Sequence, residues 1–454
     1  MRLLPHGKRV PRWLLGLILR ADGAPRYLVR KALFDANRRP KKRFRSLVQR
    51  RSGAPRGLFA AWMADAGVGN RLAHRFERLQ PLPVFEVPGM GRRVVAVVDG
   101  VDLGGLDEGV GAALILAALL ANRLGVPLCI ATRSEPAARE SVIRHFQRQN
   151  IALPAKIDFF HAPPGGANMP IGRDDLFITT SWWNTQATLR SIAAERVTFL
   201  VRQDERILHP HGDDLLRCLE TLGDPRLRFV VTSRFLFDHL AATGLANIAA
   251  RGSWFEPAFP ASAYSRREPA LVDGRRNFVF HARPGQPQYL YHLGLEVLDA
   301  ALARGVLDPA EWNISFVGRE LEEVIFPGGV RPALVNDLAD ENAAGLIAAA
   351  DLGLTLNHAP YPGRAPLALA AGGAVAVTNQ YAGSAALDAS ANIICARPDV
   401  ASLVDALARG VDLARDTARR RANHESQSFQ SDWAEAFARN FDAITAATGT
   451  KGRA

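Results

Sequence analysis

The chain has 454 residues, 48% hydrophobic and 22% charged, with 38 Gly and 28 Pro. That length exceeds one ordinary core and predicts two or more domains, and the composition excludes disordered, collagen-like and disulfide-rich classes. Net charge is +11, but residues 1–60 hold 17 Lys+Arg against Asp22 and Asp35, so the remainder is net acidic. Cys129, Cys218 and Cys395 stand far apart without a CxxC pair, which argues against a structural zinc site and suits a reducing compartment.

The basic arm alternates charge with apolar residues, as in "RWLLGLILR", "RYLVRKALF" and "KKRFRSLVQRR". This pattern predicts short amphipathic helices lying on an anionic membrane surface. A nucleic-acid grip and a plain solvated extension are the competing readings, and no nucleic-acid motif accompanies the charge. The apolar stretch Trp13–Leu19 is shorter than the ~20 residues of a membrane span and is followed by Arg20 without a cleavage signal. It reads as neither a secretory signal nor a span.

From about residue 92, apolar runs alternate with helical segments. "RRVVAVVDG" (92–100) predicts a buried strand, "VGAALILAALLANRLG" (110–125) a helix and "PLCIAT" (127–132) the next strand. "DLFITT" (175–180), "RVTFLV" (196–201) and "RFVVTS" (228–233) continue the series. After the stretch 255–269 a second series begins, with strands at "NFVFHA" (277–282), "WNISFVG" (312–318), "ADLGLTL" (350–356) and "GAVAVTN" (373–379). The tail from Thr417 to Ala447 has helical spacing and no Pro. Alternation of this kind predicts an α/β protein with two doubly wound, Rossmann-like parallel sheets and a cleft facing the carboxyl ends of the strands. The expected divisions are a basic, partly helical extension (1–88), a first α/β domain (89–270), a second (271–425) and a C-terminal helix (426–454).

Candidate chemistry follows from that architecture. Gly100, Gly104, Gly105, Gly109 and Gly111 cluster between a strand and a helix, where backbone can approach a sugar or phosphate, or simply turn. Arg283 and Arg319 each follow a predicted strand, where two guanidinium groups could hold a diphosphate leaving group without a metal. No lysine lies between Lys156 and Lys451, so any phosphate site there uses Arg, backbone amides or helix ends. Trp182 and Trp183 end another strand and offer aromatic faces to a sugar or to core packing. The segment "RQDERILHPHGDD" (202–214), with Gln203 and Asp204, reads as an acceptor-binding or solvated loop rather than a metal site. There is no GxSxG, HExxH, P-loop or dinucleotide fingerprint.

Together, "FITTSWWNTQATL", "FLVRQDERILHPHGDD", "FVFHARPGQPQYLYHLGLEVLDAAL" and the run from "LVNDLADENAAG" to "GGAVAVTN" resemble retaining GT-B glycosyltransferases of family 4, in particular rhamnosyltransferases of bacterial surface rhamnans. The resemblance spans roughly residues 90–430. It implies a first domain for the acceptor, a second for a nucleotide-sugar donor such as dTDP-rhamnose, and metal-independent transfer without a cofactor. The implied acceptor is a glycan or lipid-linked glycan at the cytoplasmic face of the membrane, not a nucleic acid. By this resemblance Arg283 carries the diphosphate, and Gly104 and Gly105 form the glycine turn; the strand-end reading adds Arg319 as its helper. Gly318, Val335, Asp337 and Leu338 hold the base, and Tyr361, Pro366, Leu367 and Ala368 hold ribose and phosphate; the residues themselves, rather than the resemblance, suggest Trp182, Trp183, Gln203 and Asp204 for the acceptor. Ala368 stands where the family has a ribose-binding glutamate, a loss that Arg319 or Arg364 would offset or that would mark a silent nucleotide-sugar-binding homologue. Deletion of residues 1–60 is expected to weaken co-sedimentation with anionic liposomes; equal binding without the arm would reject the membrane reading.

Overall fold

In the computed structural model, which describes residues 68–101, 109–264, 271–336, 347–381 and 387–446, the chain divides into two units, residues 1–77 and 78–454. The described part of the first unit is built around one helix, Val68–Arg75, with the Arg75 guanidinium 4.9 Å from the Phe76 ring centre. The basic arm of residues 1–60 lies outside the described residues, as do Gly104, Gly105, Asp337 and Leu338. Among the described residues no helix is long and apolar enough to cross a membrane.

In the second unit, the strands in chain order are β1 (Val84–Glu86), β2 (Val94–Val98), β3 (Leu128–Thr132), β4 (Ile157–His161), β5 (Met169–Ile171), β6 (Leu176–Thr179), β7 (Val197–Val201), β8 (Arg228–Thr232) and β9 (Gly252–Phe255). β1 and β5 form a small parallel ribbon, so strand pairing starts before residue 88, inside the expected extension. The rest make one parallel sheet in the order β4-β3-β2-β6-β7-β8-β9. A second parallel sheet holds β10 (Arg276–Ala282), β11 (Trp312–Gly318), β12 (Ala333–Val335), β13 (Leu352–Thr355), β14 (Val375–Asn379) and β15 (Ile393–Ala396), in the order β12-β11-β10-β13-β14-β15. Counted by their own members, both sheets begin 3-2-1-4-5-6, the doubly wound order. The order reverses between β2 and β6 in the first half, and between β10 and β13 in the second.

The central strands are runs such as "VVAVV" at β2, buried at every position, as sheets covered on both faces require. Helix α1 (Gly111–Leu124) follows β2 and is apolar on nearly every side because it too is enclosed. It stops at Gly125, left-handed at φ 63°, where the Val126 N–H donates to the Ala121 carbonyl. Further helices used below are α2 (Arg139–Arg148), α3 (Trp182–Leu189) and α4 (Ala365–Ala371).

Both sheets share one buried device. Asp175, just before β6, accepts the Arg93 main-chain N–H at 2.8 Å at the foot of β2 and pairs with the Arg93 guanidinium. Asp351, just before β13, accepts the Asn277 N–H at 3.0 Å at the foot of β10 and pairs with Arg420 at 2.9 Å. In each half a carboxylate thus ties together the two strands between which the order reverses.

The chain crosses between the halves twice, and the crossings run side by side: Ala258 bridges Gln430, and the Phe259 N–H donates to the Gln430 carbonyl at 2.7 Å. The described part of the expected C-terminal helix is two short helices, Trp433–Ala436 and Ala438–Ala446, which return to the first half. Phe437 packs on Phe255 with ring centres 4.3 Å apart, and the Trp433 indole donates to Gln149. Apolar burial decides this placement, since Trp433, Phe437, Phe441 and Ile444 join the same buried cluster as β2 and α1. Replacing Asp351 by Ala would strand a buried Arg420 guanidinium, so a loss of about 3–5 kcal/mol is expected in urea unfolding.

Candidate functional site

Where strand order reverses, the connections on either side diverge and leave a crevice at the carboxyl ends. A cavity of about 810 Å³ lies between the two halves, at the reversal between β10 and β13 in the second and at the ends of β7 and β8 and the start of α1 in the first. The second half contributes His281 of β10, the turn Gly285–Tyr289, the β13 end Thr355–Asn357 and the segment Tyr361–Ala365. The first half contributes Gly109 and Ala112 at the start of α1, Arg148 of α2, Thr232 of β8 and the loop Arg202, Gln203 and Ile207–Pro210. Three arginines, Arg148, Arg202 and Arg364, line the cavity, and no Asp or Glu does so among the described residues. Such a lining favours an anionic ligand.

Arg202 lies across the start of α1 because position 109 is glycine. A Cβ at Gly109, already at φ 127°, would come within 2.5 Å of Arg202 Cδ. Arg283 is 2% exposed, just past β10, and sits at the edge of the lining rather than on it. Its Nε donates to His281 Nε2 at 3.4 Å, and its guanidinium lies 5.9 Å from the Tyr289 ring centre. Burial lowers the His281 imidazole to about 4, so the ring is neutral and can accept that bond.

Asn357 is held at its main chain and at its side-chain amide. Its main-chain N–H donates to Asn379 Oδ1 at 2.7 Å and its Nδ2 donates to the Tyr361 carbonyl at 3.1 Å. Among the described residues, Asn357 Oδ1, Thr355 Oγ1, Thr232 Oγ1 and Tyr361 Oη are buried without a hydrogen-bond partner, which is rare for buried polar atoms. Arg364 is turned toward the chain crossings instead. It donates to the Tyr264 hydroxyl at 2.9 Å and lies 5.2–5.8 Å from the rings of Phe259, Tyr264 and Trp433.

Of the residues singled out from sequence, Gln203, Tyr361 and Ala368 line the cavity and Arg283 adjoins it. Arg319 follows β11, half-buried, and is not part of the lining. Gly318 packs where a Cβ would strike the Ala282 carbonyl, and the neighbouring Val317 takes the lining position. Val335 closes β12 away from the lining, and Pro366 and Leu367 are buried in α4. Trp182, Trp183 and Asp204, expected to meet an acceptor, stand behind the wall. Trp182 is 3% exposed; the Trp183 indole donates to Asp99 at 2.8 Å; Asp204 is taken by Arg206 at 2.7 Å. Arg202 could have been found by the strand-end rule that singled out Arg283, since it follows β7 directly. Arg148, at the end of a helix, carries no such signal.

Beside these residues, Glu205 is fully enclosed and accepts the Trp182 main-chain N–H at 2.9 Å. Burial pushes its carboxyl up to about 7, against the opposing pull of Arg202 and of that N–H.

Residues 276–408 match the family model described as the WsaF C-terminal domain, which begins with β10. A 209-residue stretch, 45% of the chain, is 29% identical to the O-antigen biosynthesis protein RfbC of Myxococcus xanthus, but covers only 15% of that protein. Among solved structures, HepE of Anabaena, in complex with UDP and glucose, aligns at TM-score 0.54 and 16% identity, over 78% of this chain and 100% of its own. WaaG, a glycosyltransferase involved in lipopolysaccharide biosynthesis, aligns at TM-score 0.51 and 14% identity, over 78% and 99%. At these identities the likeness concerns architecture, and the architecture is GT-B.

The raised Glu205 carboxyl has a consequence for stability. The native state keeps its proton to higher pH than the unfolded chain, so this group's contribution falls as pH rises from about 4.5 to about 7 and is flat above. Urea unfolding across pH 4.5–8 is expected to show a shallower decline in Glu205→Gln than in the wild type.

Proposed function

We propose that this chain is a retaining glycosyltransferase of bacterial surface-polysaccharide assembly. It would take a sugar from a nucleoside-diphosphate donor, dTDP-rhamnose in the preferred form of the reading, and pass it to a growing or lipid-linked glycan at the cytoplasmic face of the membrane. The observation that carries this reading is the cavity at the carboxyl ends of both sheets of a GT-B fold, with three arginines and no carboxylate among its described lining. The RfbC and WsaF matches support the polysaccharide context, and the UDP and glucose held by HepE support the donor class.

In this reading the second half binds the donor and the first half the acceptor. As the glycosidic bond breaks, negative charge grows on the departing diphosphate, and that charge needs stabilising most. Arg283, one residue beyond β10, is assigned to it, with Arg319 and the amides at Gly104 and Gly105 assisting and no metal required. Arg283 rests against His281 and Tyr289, both of which line the cavity, so it adjoins the position assigned to the diphosphate.

One observation favours a second reading, a nucleotide-sugar-binding protein without turnover. Ala368 lines the cavity with a methyl group and offers no acceptor to a ribose hydroxyl. Losing a charge-assisted hydrogen bond there is worth about 1.5–3 kcal/mol, or one to two decades of affinity.

Thermal-shift titration with dTDP, UDP, GDP and their sugars is expected to show stabilisation by one nucleotide family. Turnover assays should then show nucleotide release that falls by about 10²–10³-fold in Arg283→Ala while its circular dichroism is unchanged. Binding without turnover would select the second reading. Undiminished turnover in the variant would remove the role assigned to Arg283.

A further inference from the structure

The tryptophan behind the cleft wall determines the chemistry of a residue on it. The Trp182 indole N–H lies 2.8 Å from His209 Nε2, with the rings edge-on at 5.4 Å between centres, and His209 lines the cavity. An indole nitrogen only donates, so His209 Nε2 must be the accepting, unprotonated nitrogen, and the ring proton resides on Nδ1. Protonating Nε2 would set a donor against a donor.

Trp182 is itself held at its main chain and at its ring. Its main-chain N–H is held by Glu205, 1% exposed, and its ring packs edge-on against Trp183 at 5.9 Å. Trp183 is in turn anchored on Asp99, immediately past β2. The end of β2, the start of α3 and the loop after β7 are therefore joined into one mount for a single imidazole.

We propose that Trp182 is a positioning residue that fixes His209 as the neutral Nδ1–H tautomer, and that His209 Nδ1–H donates a hydrogen bond to a substrate oxygen in the cleft. This rests on the transferase reading above. The oxygen belongs to the donor or to the acceptor, and kinetics separates the two by whose KM rises.

The test uses the full chain with ¹⁵N-labelled histidine. His209, identified by the signal missing in His209→Gln, is expected to show a protonated Nδ1 and an unprotonated Nε2, and Trp182→Phe to lose that single-tautomer signature. His209→Asn keeps an amide N–H near the Nδ1 position and should retain most activity. His209→Gln and Trp182→Phe should each lose about 3–10-fold in kcat/KM, the worth of one neutral hydrogen bond. A protonated Nε2 in the active wild type, or wild-type kinetics in both weakened variants, overturns the proposal and leaves the transferase reading standing. A wild type that neither binds nucleotides nor transfers sugar overturns that reading and the substrate half of the proposal, while the nitrogen spectrum still decides the tautomer.

Discussion

Each half depends on a carboxylate buried at the foot of its sheet. Asp175 and Asp351 hold a main-chain N–H at the foot of the neighbouring strand and bind a buried guanidinium. A charge so deep is costly unless paired and hydrogen-bonded, and both are. The two strands joined in this way are those between which sheet order reverses, so the clamp at their amino ends supports the crevice at their carboxyl ends. "DLFIT" and "DLGLT" are the sequence traces of one device used twice.

The cleft built on these clamps is cationic by guanidinium alone among its described residues. Guanidinium stays protonated under almost any burial and presents planar, directional donors, whereas an ammonium in the same place could lose its charge. The arginines also differ in surroundings. Arg202 depends on the absence of a side chain at Gly109, Arg283 rests against two rings, and Arg364 is enclosed by three aromatic residues where the chain crosses between halves. Identical side chains therefore divide between facing the cavity and holding the crossing.

Much of the fold was legible because a strand buried on both faces is written mostly in apolar residues: β2 is so throughout, and β7, β10 and β14 each carry an apolar run. Strand ends were legible too, which is why Arg283 could be singled out beside the cavity. Side-chain direction beyond a strand end was not. Trp182 and Trp183 follow β6 as expected and open α3, yet their indoles are committed to His209 and Asp99, partners 27 and 84 residues away. Asp204 reads as a polar loop residue until Arg206, two positions on, is seen to take it. For the terminal helices, nothing in the local spacing tells which half buries Phe437 and Phe441.

Those helices bear on how the polypeptide matures. As the chain leaves the ribosome, the strands of the earlier lobe emerge first, but part of its apolar interior is supplied by residues 433–444. The later lobe can finish its own sheet while the earlier one still exposes the seat of Trp433 and Phe437 to solvent. The lobe begun first is completed last, so a nascent chain halted before residue 433 holds a finished second sheet beside an unsealed first.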